Sequence, residues 1–248
     1  MTMRPDPERL GGLAWGRRTG GALSPAERRL LRAQAAREFA AFLAGSVRTI
    51  IGRVPAAARG IDVATFQPPD SALTRQTEEA AAELSPALLA HSYRTWLYGS
   101  ALAAVDGAAL DPELFYCTAL LHDYGITASG PGRDFTLASA DKVMQVCAAA
   151  GRTTVEGELL ADAVCAHTTA GVTLAKDGPL TAYTQWGALS DAFALRAWDI
   201  TPGNRRYIRR AHPRGEFNRE LLVVLRRELK NMPNGRFPAL FVPAFFQR

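Results

Sequence analysis

The sequence predicts an all-α fold, and three observations carry that prediction. The same helix-opening grammar, a capping side chain followed by proline at the first helical position, recurs at Ser24-Pro25, Ser85-Pro86 and Asp111-Pro112. Apolar residues recur at helical spacing after these starts, and strand signals are nearly absent. Stretches rich in Gly and Pro at 128–134, 176–179 and 202–204 read as the loops between helices.

Taken in order, residues 1–23 are rich in Gly, Arg and Pro and read as a flexible N-terminal segment, mobile or draped over the surface. Ser24-Pro25-Ala26-Glu27 adds a glutamate that can reach back to the capping serine, so a first helix is expected from there toward Val47 or beyond. The second helix carries "ALLAHSYRTWLYGSALAAV" and the third "ELFYCTALLHD". A fourth over 139–150 is closed by Gly151, and the capping box Thr153-Thr154-Val155-Glu156 starts a fifth that runs to His167. Helical spacing returns over 180–198 and 216–231. The tail "FPALFVPAFF", 237–246, is too apolar to stay in water, so it is expected on the core or in a homodimer contact. No internal repeat or low-complexity linker divides the chain, and 24–248 reads as one helical domain.

Composition narrows the functional classes. With 248 residues, 48% of them hydrophobic, the chain can bury a large core. The formal charge of +5 and pI near 9.4 look basic, yet lysine occurs only at 142, 176 and 230. The arginines are scattered apart from Arg205, Arg206, Arg209 and Arg210, and no basic block is interleaved with stacking aromatics, so no nucleic-acid partner is expected. Cys117, Cys147 and Cys165 are odd in number, widely spaced and set among apolar residues, which suits buried reduced thiols. The N-terminal stretch lacks the apolar core of a signal peptide and no run of eighteen apolar residues occurs, so a cytoplasmic protein without membrane contact, acting on a small molecule, is the expectation.

The histidines carry the chemistry. His91 lies in the middle of the second helix, His122 and Asp123 end the third, His167 ends the fifth, and Asp191 sits inside the sixth. A lone helical histidine is usually a hydrogen-bonded core residue. Burying His91, the His122-Asp123 doublet and Asp191 separately, however, would leave polar groups unsatisfied and carboxylates uncompensated. One divalent metal ion at their meeting point answers all of them, and two imidazoles with two carboxylates suit Zn²⁺ foremost, with Mn²⁺ or Fe²⁺ as alternatives. Neighbouring helical side chains diverge by about 100°, so other helices must bring the remaining ligands, and Gly125 would let the chain turn away to keep the spot accessible.

Around this set, His167 reads as a proton relay or substrate contact, against the alternative of a core histidine at a helix end. Arg94, three residues after His91, would bind an anionic substrate or orient Asp123 or Asp191. Lys142 and Thr168 are weaker substrate-binding candidates, and Asp162 reads as solvent-facing.

A histidine in a helix, a His-Asp doublet ending the next helix and an aspartate further on resemble the HD-domain superfamily of metal-dependent hydrolases, a helical-bundle fold. The resemblance implies His91, His122, Asp123 and Asp191 as ligands. "HSYRTWLYGSAL", "ALLHDYGIT", "AHTTAGV", "GALSDAF" and "HPRGEFNREL" are similar, in order and spacing over roughly 85–230, to the cyanamide hydratase-like branch. Thr136 stands where that branch usually has Glu, and the extra histidines of the two-iron oxygenases are missing apart from His167, which favours a mononuclear site. The implied activity is hydrolysis or hydration of a small nitrogen-containing molecule, nitrile-like or amide-like. The alternatives are a phosphohydrolase, which needs Arg94, Lys142 or the arginines at 205–210 near the metal, and a non-catalytic helical protein that retains the metal.

Overall fold

The computed structural model describes residues 9–50, 53–128 and 130–245 and is an all-α helical bundle; no strand occurs among the described residues. The helices are α1 (Leu13–Thr19), α2 (Pro25–Ile50), α3 (Ala72–Ala81), α4 (Pro86–Asp106), α5 (Pro112–Leu121), α6 (Gly125–Ala128), α7 (Phe135–Ala149), α8 (Thr154–Ala166), α9 (Leu174–Phe193), α10 (Pro202–Ala211), α11 (Phe217–Asn231) and α12 (Arg236–Phe245).

The caps explain most starts. Ser24 Oγ accepts from the Glu27 amide while Glu27 Oε2 accepts from the Ser24 amide, which opens α2. Asp111 Oδ1 takes the amides of Glu113 and Leu114 at the start of α5, and the Thr153/Glu156 box opens α8. The expected loop at 202–204 is instead the first turn of α10, because Thr201 caps the Asn204 amide and Pro202 occupies the first helical position. The loop at 176–179 is a break inside α9, where Gly178 leaves helical geometry before Pro179.

α5 is the central helix. It is apolar on all sides, with Phe115, Tyr116, Cys117, Ala119, Leu120 and Leu121 buried, and it packs on α3, α4, α7, α8 and α9. α4 lies along α9 at close range: a Cβ on Gly187 would come within 2.3 Å of the Thr95 carbonyl oxygen. That contact brings the last turn of α9 against the first half of α4, where the site forms.

Of the N-terminal segment, residues 1–8 lie outside the described residues. From residue 9 it is draped and tied down, with Trp15 buried and its indole N–H donating to Glu27 Oε1 at 2.8 Å. Asp162 is correspondingly buried and not solvent-facing: it accepts the Leu13 amide at 2.7 Å and pairs with Arg9. At the other end, Phe237 rests on Phe135 and Ala239 is buried, so this part of the tail packs on the core; the side chains from 241 onward lie outside the described residues. No helix among the described residues is long and apolar enough to cross a membrane, and the three cysteines are buried and free.

Candidate metal centre

Two of the site histidines are presented by the same local device. His122 follows the last turn of α5 and its Nδ1 donates to the Ala119 carbonyl at 2.8 Å; His167 follows α8 and its Nδ1 donates to the Val164 carbonyl at 2.6 Å. In each case the histidine fills one of the carbonyls left over at a helix C-terminus, three residues back. The proton is thereby fixed on Nδ1, and Nε2 carries a lone pair directed away from the helix.

His91 reaches the same state by a tertiary contact. Its Nδ1 donates to Asp191 Oδ2 at 2.7 Å, and its ring stacks on Phe217 with centroids 4.5 Å apart. Asp191 is held in turn by Arg94, whose Nε and Nη2 donate to its two oxygens at 2.8 Å each, while Arg94 Nη1 donates to the carbonyls of His212 and Pro213. Arg94 and Asp191 are both buried.

All three Nε2 atoms face one carboxylate. Asp123 Oδ2 lies 3.3 Å from His122 Nε2 and 3.6 Å from His91 Nε2, and Asp123 Oδ1 lies 3.4 Å from His167 Nε2. His91, His122 and Asp123 each offer an atom within 4.8 Å of the others. His122 Nε2 is buried without a hydrogen-bond partner. Acceptor atoms thus converge on one point with no donor among them, and this donor set fits a divalent cation.

The electrostatics divide the three rings. Burial lowers the imidazoles of His91 and His167, more than Asp191 and Asp123 respectively raise them, which favours neutral rings. At His122, burial is outweighed by the Asp123 carboxylate and the net direction is upward. Asp123 is itself held well below the usual carboxylate range, because His122 and His167 outweigh its burial.

The expected residues therefore separate by role. His91, His122 and Asp123 come together. Asp191 lies outside that trio: both its oxygens accept from Arg94 and His91, so it stands behind His91 and orients it. Arg94 takes the orienting role, on Asp191. Lys142 donates to Glu83 Oε1 at 3.0 Å and lies over the Tyr124 ring, engaged there and not at the cluster. The Thr168 hydroxyl is buried without a partner. Gly125 serves close packing and not access, since a Cβ there would lie 1.9 Å from the Phe135 carbonyl oxygen on α7.

Sequence reasoning assigned no role to Arg214 or Phe217, although both lie in "HPRGEFNREL". Arg214 Nη1 donates to the Asp191 carbonyl at 2.5 Å, and Phe217 lies beneath His91, Arg94 and Arg214 together. A basic and an aromatic residue in one short motif were the available signal.

Fold and site together define an all-helical protein with a buried His/Asp centre that could hold a divalent metal ion. Residues 88–203, which include the whole cluster, match the family model of the HD domain, so this segment of the chain is similar to HD domains. HD domains are in general metal-dependent hydrolases. No curated protein matches the chain.

Proposed function

We propose that the chain is a mononuclear metal-dependent hydrolase or hydratase acting on a small, uncharged, nitrogen-containing molecule, nitrile-like or amide-like as in the cyanamide hydratase-like branch. The observation that carries this reading is the convergence of three imidazole lone pairs on the Asp123 carboxylate. His91, His122 and Asp123 would hold the ion. A divalent ion bound there would polarise the substrate and lower the pKa of a water from 15.7 toward about 7.

The protein's own groups do the rest. Asp191 and Arg94 keep the His91 proton on Nδ1, so its Nε2 stays free. His167 stands beside the three ligands, and its neutral Nε2 is the acceptor for a proton leaving the reacting water. The phosphohydrolase alternative needs free cations at the cluster. Arg94 and Lys142 are already engaged, and Arg206, Arg209 and Arg210 are exposed on α10, which counts against a phosphorylated substrate.

The test is metal analysis of protein purified without added metal, followed by turnover assays on small amides, nitriles and phosphomonoesters. The expected result is about one equivalent of divalent metal in the parent, almost none in His122→Ala/Asp123→Ala, and retained metal with turnover reduced about 10²-fold or more in His167→Gln. A parent that binds no Zn²⁺, Mn²⁺ or Fe²⁺ sinks the reading; hydrolysis of phosphomonoesters alone replaces the substrate class.

A further inference from the structure

α2 and α9, with residues 167–170 after α8 and Leu240 of α12, border a cavity of about 340 Å³ that opens to solvent. That volume lies within the range of small-molecule sites, about 300–1,000 Å³. Its walls are mainly apolar and aromatic, with Phe39, Phe42, Leu189, Phe193 and Leu240 among them. Phe39 and Phe42 stack on one another with centroids 6.1 Å apart, and Phe42 lies 6.2 Å from Trp198.

One carboxylate lines this space. Glu38 Oε1 accepts the Gly171 amide at 2.7 Å, and no Lys, Arg or His pairs with Glu38 among the described residues. Among the described residues, no lysine or arginine lines the cavity either. A carboxylate withdrawn from water without a counter-charge is unfavourable, and burial accordingly pushes the Glu38 carboxyl up against the lowering effect of the Gly171 amide. The faces of aromatic rings attract cations as well. Two features that share a wall thus ask for the same complement, a positive charge on an apolar body.

We propose that this cavity binds a small organic cation, a protonated amine whose ammonium group meets Glu38 and whose apolar part lies among the phenylalanines. The cavity wall also includes His167, so the occupant sits against one imidazole of the metal centre. The inference stands on Glu38 and the aromatic walls and does not depend on the hydrolase reading.

The test is calorimetric titration of the full chain with benzylammonium and, as a neutral isostere, benzyl alcohol, repeated on Glu38→Gln and Phe39→Leu. Glu38→Gln keeps an acceptor for the Gly171 amide and removes only the charge. Benzylammonium is expected to bind at least about tenfold more tightly than the alcohol, as a desolvated charge pair adds to cation–π attraction. Glu38→Gln should abolish that preference. Phe39→Leu, at a residue 60% exposed and therefore tolerant of change, should weaken the amine by about threefold and leave the alcohol unaffected. Equal affinities in the parent, no binding of the amine, or an undiminished preference in Glu38→Gln would overturn the proposal.

Discussion

Two buried polar clusters lie on either side of the end of α8, and they are built in opposite ways. Around Arg236 every donor finds an acceptor. Its Nε and Nη2 donate to Asp134 Oδ2 at 3.1 and 2.8 Å, Nη2 also donates to Thr136 Oγ1, and Nη1 donates to the Cys165 carbonyl at 2.6 Å and to Thr169 Oγ1 at 2.8 Å. Around Asp123, acceptors face acceptors. The first cluster is complete within the chain and fastens α12 to α7 and α8; the second needs a cation from outside. Burial and charge alone therefore do not mark a functional site; an unmatched set of donors and acceptors does.

The largest effect should come from breaking the complete cluster. Arg236→Met strands Asp134 in the interior and is expected to cost about 3–5 kcal/mol in denaturant unfolding. Metal content per folded molecule should stay at the parent level; a loss of metal with little loss of stability would mean that the two clusters had been assigned the wrong way round.

The incomplete cluster should respond to metal and not to mutation alone. At about a hundredfold excess of free metal over its dissociation constant, the parent should gain about 2.7 kcal/mol of stability. Asp123→Asn should lose most of that gain. Without metal, the same variant should cost only about 1 kcal/mol, less than the metal-dependent gain, since burial of the Asp123 charge offsets part of what His122 and His167 contribute in holding it ionised. Thermal melts with and without chelator read both numbers.

A smaller effect sharpens the link between packing and site. Gly187→Ala forces a methyl into the α4–α9 contact and is expected to cost about 1–3 kcal/mol. Because Asp191 follows one turn later, the variant should also bind metal more weakly, which a competition titration with a chromophoric chelator would detect. An unchanged affinity would detach the helix spacing from the orientation of His91.

Thr136 ties the comparison to the sequence. It sits in the complete cluster, donating to Asp134 Oδ1 at 2.8 Å while accepting from Arg236, and so takes part in the fastening of α12.

The sequence by itself determined the all-α class, the helices opened by Ser24, Ser85, Asp111 and Thr153, and the gathering of His91, His122 and Asp123. Caps act within one turn, so they can be read locally, as the overlooked Thr201-Pro202 start of α10 also demonstrates. Only the tertiary structure decided that Asp191 lies behind His91, that Arg94 is spent on it, that Asp162 is buried under α1, and that Glu38 faces an apolar cavity. His91 and Asp191 are 100 residues apart, and whether that carboxylate approaches a metal or an imidazole depends on how closely α4 and α9 pack. No spacing along the chain encodes that distance, because it is set by side-chain volumes on two helices at once.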